Sequence, residues 1–380
     1  MRDGVCVDSA PRITHWLKAE WLLLLFGLFA IVLAVLDPQP LAAYLRWLQV
    51  PTLAGLMGLL IAIQGICDSA LVQRAAGSLV VRMHTLRGLG LLLVAATALL
   101  SMGLTNDVSL FLIVPLTVTI GGMSNLPVMR MVVLEALAVN AGSTLSPIGN
   151  PQNLLLWQHA QLPFLRFVWA MLPTAAVMFA LVGALAWLWL PRRRIELAGD
   201  AVGRGTIDAR LGALSVSALA AMVVAMEYGY ALAGALVLLL LFAGGARASL
   251  RRIDGWLLLT FAAIFVGLGH LAELPQVGHA LDHIDLRQPL NLYLSGIAAS
   301  QLISNVPATV LLLHRAPDPL ALAVAVNVGG FGLAIGSLAN LIALRLARQP
   351  HGLRQLHLVS IPFLLVCTPL VYLVWRWTAA

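Results

Sequence analysis

Residues 139–154, VNAGSTLSPIGNPQNL, and residues 326–341, VNVGGFGLAIGSLANL, decide the fold of this chain. Aligned at a single offset of 187 residues, the two stretches share seven identical positions. The first stretch contains two prolines and the second contains four glycines. Proline inside a helix costs about 3 kcal/mol and glycine about 1 kcal/mol relative to alanine, so neither stretch is expected to be one continuous helix. We therefore predict a helix that stops and restarts in each half of the chain.

Both stretches lie in an unusually apolar chain. Of its 380 residues, 61% are hydrophobic and 10% are charged, whereas soluble domains have about 45–50% apolar and about 25% charged residues. This composition excludes a water-soluble globule and a disordered chain. Apolar runs near the length that crosses about 30 Å of hydrocarbon recur, and they lack the alternation of outer-membrane strands. The sequence predicts an all-α polytopic membrane protein.

The basic residues and cysteines do not indicate a soluble partner or a cofactor. The net charge of +7 comes from 22 Arg and one Lys that lie between the apolar runs, so no nucleic-acid surface is predicted. Cys6, Cys67 and Cys367 have neither paired nor metal-ligand spacing. We predict no cofactor and no metal beyond a sodium ion. The motifs of zinc proteases, serine hydrolases and phosphate-loop pumps are also missing, which argues against an enzyme or a primary pump.

Nine membrane spans are predicted, two of them broken. They cover residues 21–36, 51–66, 127–158 (broken), 166–190, 211–226, 229–243, 256–272, 319–345 (broken) and 358–375. The first span could instead be a cleaved signal peptide. No small-residue cleavage site follows it closely, so we expect it to be retained.

Two further apolar stretches, 87–120 and 289–313, are interrupted near their middles by TND at 105–107 and SNV at 304–306. Only the thirteen residues 108–120 follow the first interruption, and thirteen helical residues reach about 20 Å, which is short of a full crossing. We therefore predict two re-entrant hairpins, each entering and leaving on one side. A full pair of spans in place of either hairpin would preserve the parity and stays an alternative.

The elements repeat in the two halves as a span, a hairpin, a broken span and a closing span. Three crossings per half is an odd number, so the second copy is expected to be inverted relative to the first. The predicted organisation is a cytoplasmic N-terminus at 1–20, a first span and loop at 21–50, repeat 1 at 51–190, a linker with two spans at 191–255, and inverted repeat 2 at 256–377. The segments 67–86 and 273–288 are expected to lie along opposite membrane surfaces.

The distribution of basic residues predicts the orientation. With the N-terminus in the cytoplasm and the C-terminus outside, 18 of the 23 basic residues lie in inside segments, as the positive-inside rule requires. The expected location is the inner membrane of a bacterial-type cell. The lipid bilayer and a small ion are the expected partners. A homodimer stays possible, but small residues are too evenly spread to locate its interface.

The four interruptions predict a shared polar cavity. Unpaired backbone in hydrocarbon costs several kcal/mol per group unless it lines a protein cavity or a bound ion. A single break is commonly a structural kink, but four related breaks that each carry Asn favour a substrate or ion site. We expect Asn150 and Ser337 to cap the restarting helices. The predicted site residues are Thr105, Asn106, Asp107, Ser146, Gly149, Asn150, Asn153, Ser304, Asn305, Asn327, Gly336, Ser337 and Asn340.

Asp107 is the strongest single candidate for a residue that binds a proton or a cation. A carboxylate near the bilayer centre costs about 2.5–3.5 kcal/mol unless it is paired, protonated or bound to a cation. The alternative is that it caps the following helix. Glu135 lies five residues past Arg130 and is expected to reach the cytoplasmic interface. His279 and His283 have the i, i+4 spacing of metal ligands, but this spacing is common on solvated faces and predicts no metal site.

The segments TNDVSLFLIVP (105–115), STLSPIGNPQN (143–153) and SNVPA (304–308) resemble the ion transporter superfamily. This superfamily includes arsenite permeases, sodium/proton antiporters, citrate transporters and divalent-anion/sodium symporters. The segments look most like its citrate-transporter-like and arsenite-permease-like branch. The resemblance extends roughly from Val50 to the end of the chain.

The resemblance implies roles for the hairpin tips. In the divalent-anion members each tip carries Ser-Asn-Thr, whose Asn and Thr hold substrate carboxylates. Asn106 and Asn305 match that pattern, whereas Asp107 and Val306 stand in place of the threonines. The resemblance also implies that the broken spans complete two ion sites through Gly149, Asn150, Gly336 and Ser337.

The leading functional hypothesis is a secondary transporter for a small anion or a neutral oxyacid, coupled to protons or sodium by alternating access. One charge moved through 100 mV yields about 2.3 kcal/mol, enough for a gradient of roughly forty-fold. No Arg or Lys lies inside the membrane away from the ends of the spans, so anion recognition would rest on half-helix N-termini and on Asn106 and Asn305. The alternative is a sodium/proton antiporter in which Asp107 exchanges the two cations and no anion binds.

Overall fold

The computed structural model describes residues 20–196, 207–313, 315–349 and 351–379. Across these ranges the chain forms nineteen α-helices, a 3-10 turn at Ala334–Gly336, and no strand beyond an isolated bridge. The helices are α1 (Trp21–Leu36), α2 (Leu41–Trp47), α3 (Val50–Asp68), α4 (Leu71–Arg82), α5 (Leu86–Gly103), α6 (Asn106–Met123), α7 (Val128–Ser143), α8 (Pro151–Ala160), α9 (Phe164–Trp189), α10 (Ala209–Glu227), α11 (Ala231–Gly245), α12 (Arg247–Leu250), α13 (Gly255–Glu273), α14 (Pro275–Asp282), α15 (Pro289–Ile303), α16 (Asn305–Leu313), α17 (Pro319–Val328), α18 (Leu338–Ala347) and α19 (Gly352–Ala379). The predicted all-α fold is confirmed.

Seven of the described helices are long and apolar enough to cross a membrane: α3, α5, α6, α9, α10, α13 and α19. Each predicted span coincides with one helix or, where a break was predicted, with two. The segments predicted to lie along the membrane surfaces contain the short helices α4 and α14. Residues 1–19, with Cys6 and Lys18, and residues 197–206 of the predicted linker lie outside the described residues.

The second limb of the first hairpin is longer than the sequence suggested. The prediction of thirteen residues at 108–120 is wrong, because α6 has 18 residues, about 27 Å of helix. The helix starts directly after Thr105, whose hydroxyl accepts a hydrogen bond from the backbone N–H of Val108 at 3.4 Å. Pro115 lies inside the helix without ending it. A helix of this length is long enough to cross a membrane, so its length does not show that it stops within the bilayer.

The two ends of this hairpin lie together at one end of α9. The N–H of Leu86, where α5 begins, donates to the carbonyl of Arg193 at 2.9 Å. The N–H of Asn125, just after α6, donates to the carbonyl of Glu196 at 3.2 Å. Because both limbs meet the segment that follows α9, the hairpin starts and finishes on the same side of the protein.

The tip of the hairpin meets the break between α7 and α8. The N–H of Asn106 donates to the carbonyl of Gly149 at 2.9 Å. Helix α7 is about 24 Å long and α8 about 15 Å, which together match the roughly 39 Å of α9. The break and the hairpin tip therefore lie at a depth well inside the thickness that α9 spans.

The half-helices of one half of the chain pack against the hairpin of the other. Helix α8 contacts α16 and α17, and α18 contacts α6 and α7. The first half-helices form the centre of the molecule, since residues 131–144 are all buried. Close approach depends on glycine at position 142, where a Cβ atom would lie 2.2 Å from the carbonyl oxygen of Ala98. This exchange of contacts brings the two breaks together.

Candidate functional site

A network of buried asparagine side chains joins the two breaks. The Asn140 amide donates to the Oδ1 atom of Asn340 at 3.1 Å, and the Asn327 amide donates to the Oδ1 atom of Asn153 at 2.6 Å. The Asn150 amide also donates to the Oδ1 atom of Asn327, at 2.9 Å. At the offset of 187 residues, Asn140 corresponds to Asn327 and Asn153 to Asn340. The first two bonds are therefore equivalent, with the halves exchanged.

The predicted helix caps are confirmed. Asn150 Oδ1 accepts from the N–H of Asn153 at 2.9 Å and caps α8, and Ser337 Oγ accepts from the N–H of Ala339 at 3.3 Å and caps α18. The cap of α6 is Thr105, so the alternative that Asp107 caps this helix is wrong. Asp107 lies in the first turn instead, which leaves its carboxylate free for another role.

Asn153 satisfies the carbonyl groups that the end of α7 leaves without helical partners. Its amide lies 3.1 Å from each of the carbonyl oxygens of Ser143, Thr144 and Ser146. In the second half, the Asn340 amide donates to the carbonyl of Gly330 at 3.0 Å. The amide groups of these two predicted site residues are thus used to hold the breaks in shape.

The second break is held by three side chains that the sequence reasoning missed. The Gln301 amide donates to the carbonyls of Gly329 and Phe331 at 2.6 and 2.9 Å, and its Oε1 atom accepts from the N–H of Leu333 at 2.7 Å. From α19, Ser360 donates to a carbonyl of the break and the imidazole of His357 accepts a backbone N–H. The one available signal was Gln301 itself, a polar residue within an apolar run.

A cavity of about 500 Å³ lies where the two hairpin tips and the two second half-helices converge. From the first half, Asp107 and Pro151 line it; from the second, Ser304, Val306 and Leu338 do so. These residues lie at or beside the first turns of α6, α8, α16 and α18. Four helices thus direct their N-terminal ends, which carry partial positive charge, towards one cavity.

The cavity opens between the tips and α13. Phe261 and Phe265 form part of its apolar wall, and Arg46, Glu273 and Arg315 lie at its rim. Arg46 and Glu273 form an exposed ion pair. In the predicted orientation this rim is on the outer face.

Only two of the predicted site residues, Asp107 and Ser304, line the cavity directly. Asn106, Asn150 and Ser337 each immediately precede a lining residue, and all three are buried. Asn305 is 2% exposed, and its amide nitrogen has no hydrogen-bond partner among the described residues. Thr105 caps α6 at the first hairpin tip. The remaining predicted site residues lie in or beside the two breaks: Ser146, Gly149, Asn153, Asn327, Gly336 and Asn340.

The Asp107 carboxylate on the cavity wall has no cationic partner among the described residues. Among the described residues no ion pair joins Asp107 to a basic side chain, and no group of three or more His, Cys, Asp or Glu residues is placed to hold a metal ion. Asp107 lies in the first turn of α6, where the partial positive charge of the helix N-terminus favours a carboxylate.

Residues 13–321 match the citrate transporter family. The chain belongs to that family. The predicted membership of the citrate-transporter-like branch of the ion transporter superfamily is thereby confirmed.

Relatives of this citrate transporter family member are transporters and membrane proteins. It is 40% identical to inner membrane protein YbiR of Escherichia coli (strain K12) over 344 residues, 90% of this chain and 91% of the relative. It is 29% identical to an uncharacterized transporter of Methanocaldococcus jannaschii over 84% of this chain and 87% of the relative. A segment of 77 residues, 20% of this chain and 16% of the relative, is 34% identical to a silicon efflux transporter of Oryza sativa subsp. japonica. The chain is a multi-pass inner membrane protein with a transport role.

At the end of the molecule opposite the rim, this family member is held together by ion pairs. Arg345, near the end of α18, pairs with Asp254 at 3.1 Å and with Glu20 at 2.7 Å. Burial alone would raise the pKa of Asp254, but hydrogen bonds and the charge of Arg345 outweigh it and hold the pKa below its usual range. These pairs tie the second half-helix to the start of α13.

The position of Glu135 differs from the one predicted. It was expected to reach the cytoplasmic interface, but its side chain is fully buried. The reason is packing, because α5, α6, α9, α18 and α19 all contact α7 and leave its second turn no path to the surface.

Proposed function

We propose that this citrate transporter family member is a secondary active transporter that moves a small anion or a neutral oxyacid by alternating access, coupled to protons or sodium. The observation that carries the proposal is the cavity bordered by the first turns of α6, α8, α16 and α18. Each helix N-terminus acts as roughly half a positive charge and offers backbone N–H groups. Helix termini in this arrangement bind anions in other transporters with broken helices.

The charges around the cavity favour a substrate that carries oxygen atoms. No Lys or Arg lies among the residues at the tips, so recognition would rest on N–H groups and on the amides of Asn106 and Asn305. The buried amide nitrogen of Asn305 has no hydrogen-bond acceptor among the described residues, so it can donate to an oxygen atom of a substrate.

The volume of the cavity and the names of the family and its relatives narrow the range of candidate substrates. A cavity of about 500 Å³ falls within the range of roughly 300–1,000 Å³ typical of small-molecule sites. The family is named for citrate transport, and one relative is a silicon efflux transporter. Carboxylates and oxyacids share an oxygen-rich, hydrogen-bonding surface that N–H donors recognise. We propose Thr105, Asn106, Asp107, Ser304 and Asn305 as the residues nearest such a substrate.

Alternating access is supported by the exchange of contacts between the two halves. The cavity opens on one side, whereas the opposite ends of α13 and α18 are joined through Asp254 and Arg345. If the halves are inverted repeats, exchanging their conformations would close the mouth and open the other side. This is the form of motion that we propose.

A second candidate, the sodium/proton antiporter, is favoured by Asp107 alone. A carboxylate on the cavity wall without a basic partner is a cation site by chemistry. In this case the N-termini would only stabilise the carboxylate and no anion would bind.

The test is transport by purified protein in liposomes, with citrate, succinate, sulfate, arsenite, silicate and sodium offered in turn under a pH or sodium gradient. We expect Asn305→Ala to lower uptake of an oxygen-rich substrate about tenfold, as loss of one hydrogen bond to a charged group does. Asp107→Asn is expected to change coupling while substrate binding persists. Glu196→Gln, an exposed carboxylate changed in the same way, is the matched control. Transport of sodium alone, abolished by Asp107→Asn, would replace the first proposal with the second.

A further inference from the structure

A second carboxyl group is buried in the molecule at a distance from the cavity. Glu135 lies in the second turn of α7 and is fully buried. It is eight residues, or about 12 Å of helix, from the end of α7 at Ser143, where the break begins. Its neighbours on the same helix, Met131, Leu134 and Val139, are also fully buried and apolar. The carboxyl group therefore lies in a buried and largely apolar part of α7.

Among the described residues, one polar side chain forms a hydrogen bond with this carboxyl group. The hydroxyl of Thr117, on α6, donates a short hydrogen bond to the Oε1 atom of Glu135. The Oε2 atom is buried and has no hydrogen-bond partner among the described residues. An ionised carboxylate has about four acceptor positions to fill, whereas a protonated one has fewer.

No basic side chain in the described ranges pairs with Glu135. The charged or titratable residues of α7 itself and of the helices packed against it are Arg87 (α5), Asp107 (α6), Arg130 (α7), Arg166 (α9), Arg345 (α18), and Arg354, His357, Cys367, Tyr372 and Arg376 (α19). In the described part of the chain, none of them makes a hydrogen bond or an ion pair with Glu135.

Two of these basic residues, Arg130 and Arg87, have other partners. Arg130 lies over the ring of Trp189, and Arg87 donates to the carbonyl of Leu190. An isolated carboxylate in such surroundings is strongly unfavourable, and the group is neutralised by a proton instead. A sodium ion would need more oxygen ligands than one hydroxyl and one carboxyl group supply.

The position of the pair connects it to the cavity. Thr117 is on the helix whose first turn carries Asp107, and Glu135 is on the helix that ends at the first break. Their hydrogen bond thus joins the two helices whose ends form the first half of the site.

We propose that Glu135 is a proton-binding site, separate from the cavity, whose protonation couples the packing of α6 on α7 to transport. In the state described here the carboxyl group holds a proton on oxygen, and in the opposite state it releases that proton to water. The role in coupling rests on the proposed transport function. Proton binding itself does not, and it is tested separately.

Proton binding is tested by infrared spectroscopy of the purified protein at neutral pH. A protonated carboxyl group has a C=O stretching band that an ionised carboxylate lacks. We expect one such band to disappear in Glu135→Gln and to shift in Thr117→Val, which removes the hydrogen bond but keeps the carboxyl group. The matched control Glu196→Gln, at an exposed carboxylate, should leave the band unchanged. A wild-type spectrum with no band that depends on Glu135 would overturn the proposal.

Coupling is tested in liposomes with a pH difference of about one unit. A carrier that moves one proton per substrate accumulates it about tenfold under this gradient. We expect Glu135→Gln to lose this accumulation while it still exchanges labelled for unlabelled substrate, a reaction that needs no net proton movement. Retained accumulation in Glu135→Gln would overturn the coupling role. If wild-type protein moves no substrate at all, the proposed function fails, and the infrared band still decides whether Glu135 binds a proton.

Discussion

The side-chain amide of Asn140 donates a hydrogen bond to the Oδ1 atom of Asn340, 200 residues further along the chain. Both side chains are almost completely buried. The same contact occurs, with the halves exchanged, between Asn327 and Asn153. These amides connect the two interrupted helices directly, so each break is held in place by a side chain of the other half.

Replacement of Asn140 by Leu should destabilise the protein. The change keeps the approximate volume but leaves Asn340 Oδ1 without its donor, and an unsatisfied buried polar group costs about 1–3 kcal/mol. Thermal unfolding of the purified variant measures the loss. Gln276→Ala, at an exposed amide, is the control and should stay within about 0.5 kcal/mol of wild type. Equal stability of the two variants would contradict the role given to this contact.

Gly142→Ala should disturb the packing of the first hairpin on α7. The added Cβ atom would lie 2.2 Å from the carbonyl oxygen of Ala98 and 2.4 Å from the hydroxyl of Ser101, so the backbone must shift. Overpacking of this kind costs about 1–3 kcal/mol. In α11, Gly244→Ala meets no atom within 4 Å and should be neutral or stabilising by up to about 1 kcal/mol. The two unfolding temperatures, compared side by side, check the prediction; a variant at 142 as stable as the one at 244 would refute it.

The contribution of Asp254 to stability should depend on pH. Its pKa is lower in the folded protein than the usual value, so its contribution is complete above the unfolded pKa of about 3.9 and is lost as the pH falls through the folded pKa. Asp254→Asn keeps an acceptor for the N–H of Leu257 but removes the charge that faces Arg345. We expect this variant to be less stable than wild type by about 1.5–3 kcal/mol at pH 7. The difference should shrink below about pH 4.

The matched control for Asp254 is Asp208→Asn. Asp208 caps α10 in the same way but forms no ion pair within the described residues. Thermal unfolding from pH 7 to pH 3 measures both variants. A stability difference for Asp254→Asn that is constant over this range would show that charge pairing with Arg345 is not its cause.

Thiol labelling should detect the open side of the cavity. In a background without the native cysteines, Val306→Cys places a thiol on the cavity wall, whereas Ala308→Cys on the same helix is fully buried. A reagent that cannot cross the membrane should modify position 306 from the side of Arg46 and leave position 308 unmodified. Labelling of both positions alike, or of neither, would contradict the described opening.

Where helices start and stop was largely predictable, because local chemistry decides it. Asn150 before Pro151, and Ser337 after a run of glycines, are short-range signals for helix restarts, and both act as caps. The breaks at Thr105 and Ser304 were also found from polar residues inside apolar runs. The exception was the length of α6, because Asn106 and Asp107 were assigned to the interruption although they form the first turn of the helix.

Contacts between distant segments were not predictable from one sequence. Gln301 holds the second break through backbone carbonyls 28 and 30 residues away, and nothing in its spacing indicates this. The burial of Glu135 depends on α5 and α6 closing around α7. In the sequence alone, an apolar helix with one carboxylate near a basic residue is equally consistent with a carboxylate at the membrane surface. Side-chain partners that depend on tertiary packing need the structure.

The most direct test of the account is an experimental density map of the protein in a lipid nanodisc with a transported substrate bound. We predict substrate density between the first turns of α6 and α16, within hydrogen-bonding reach of Asn106 or Asn305 and beside Asp107. Substrate bound outside this cavity, or hairpin tips that lie apart so that no common cavity exists, would contradict the account.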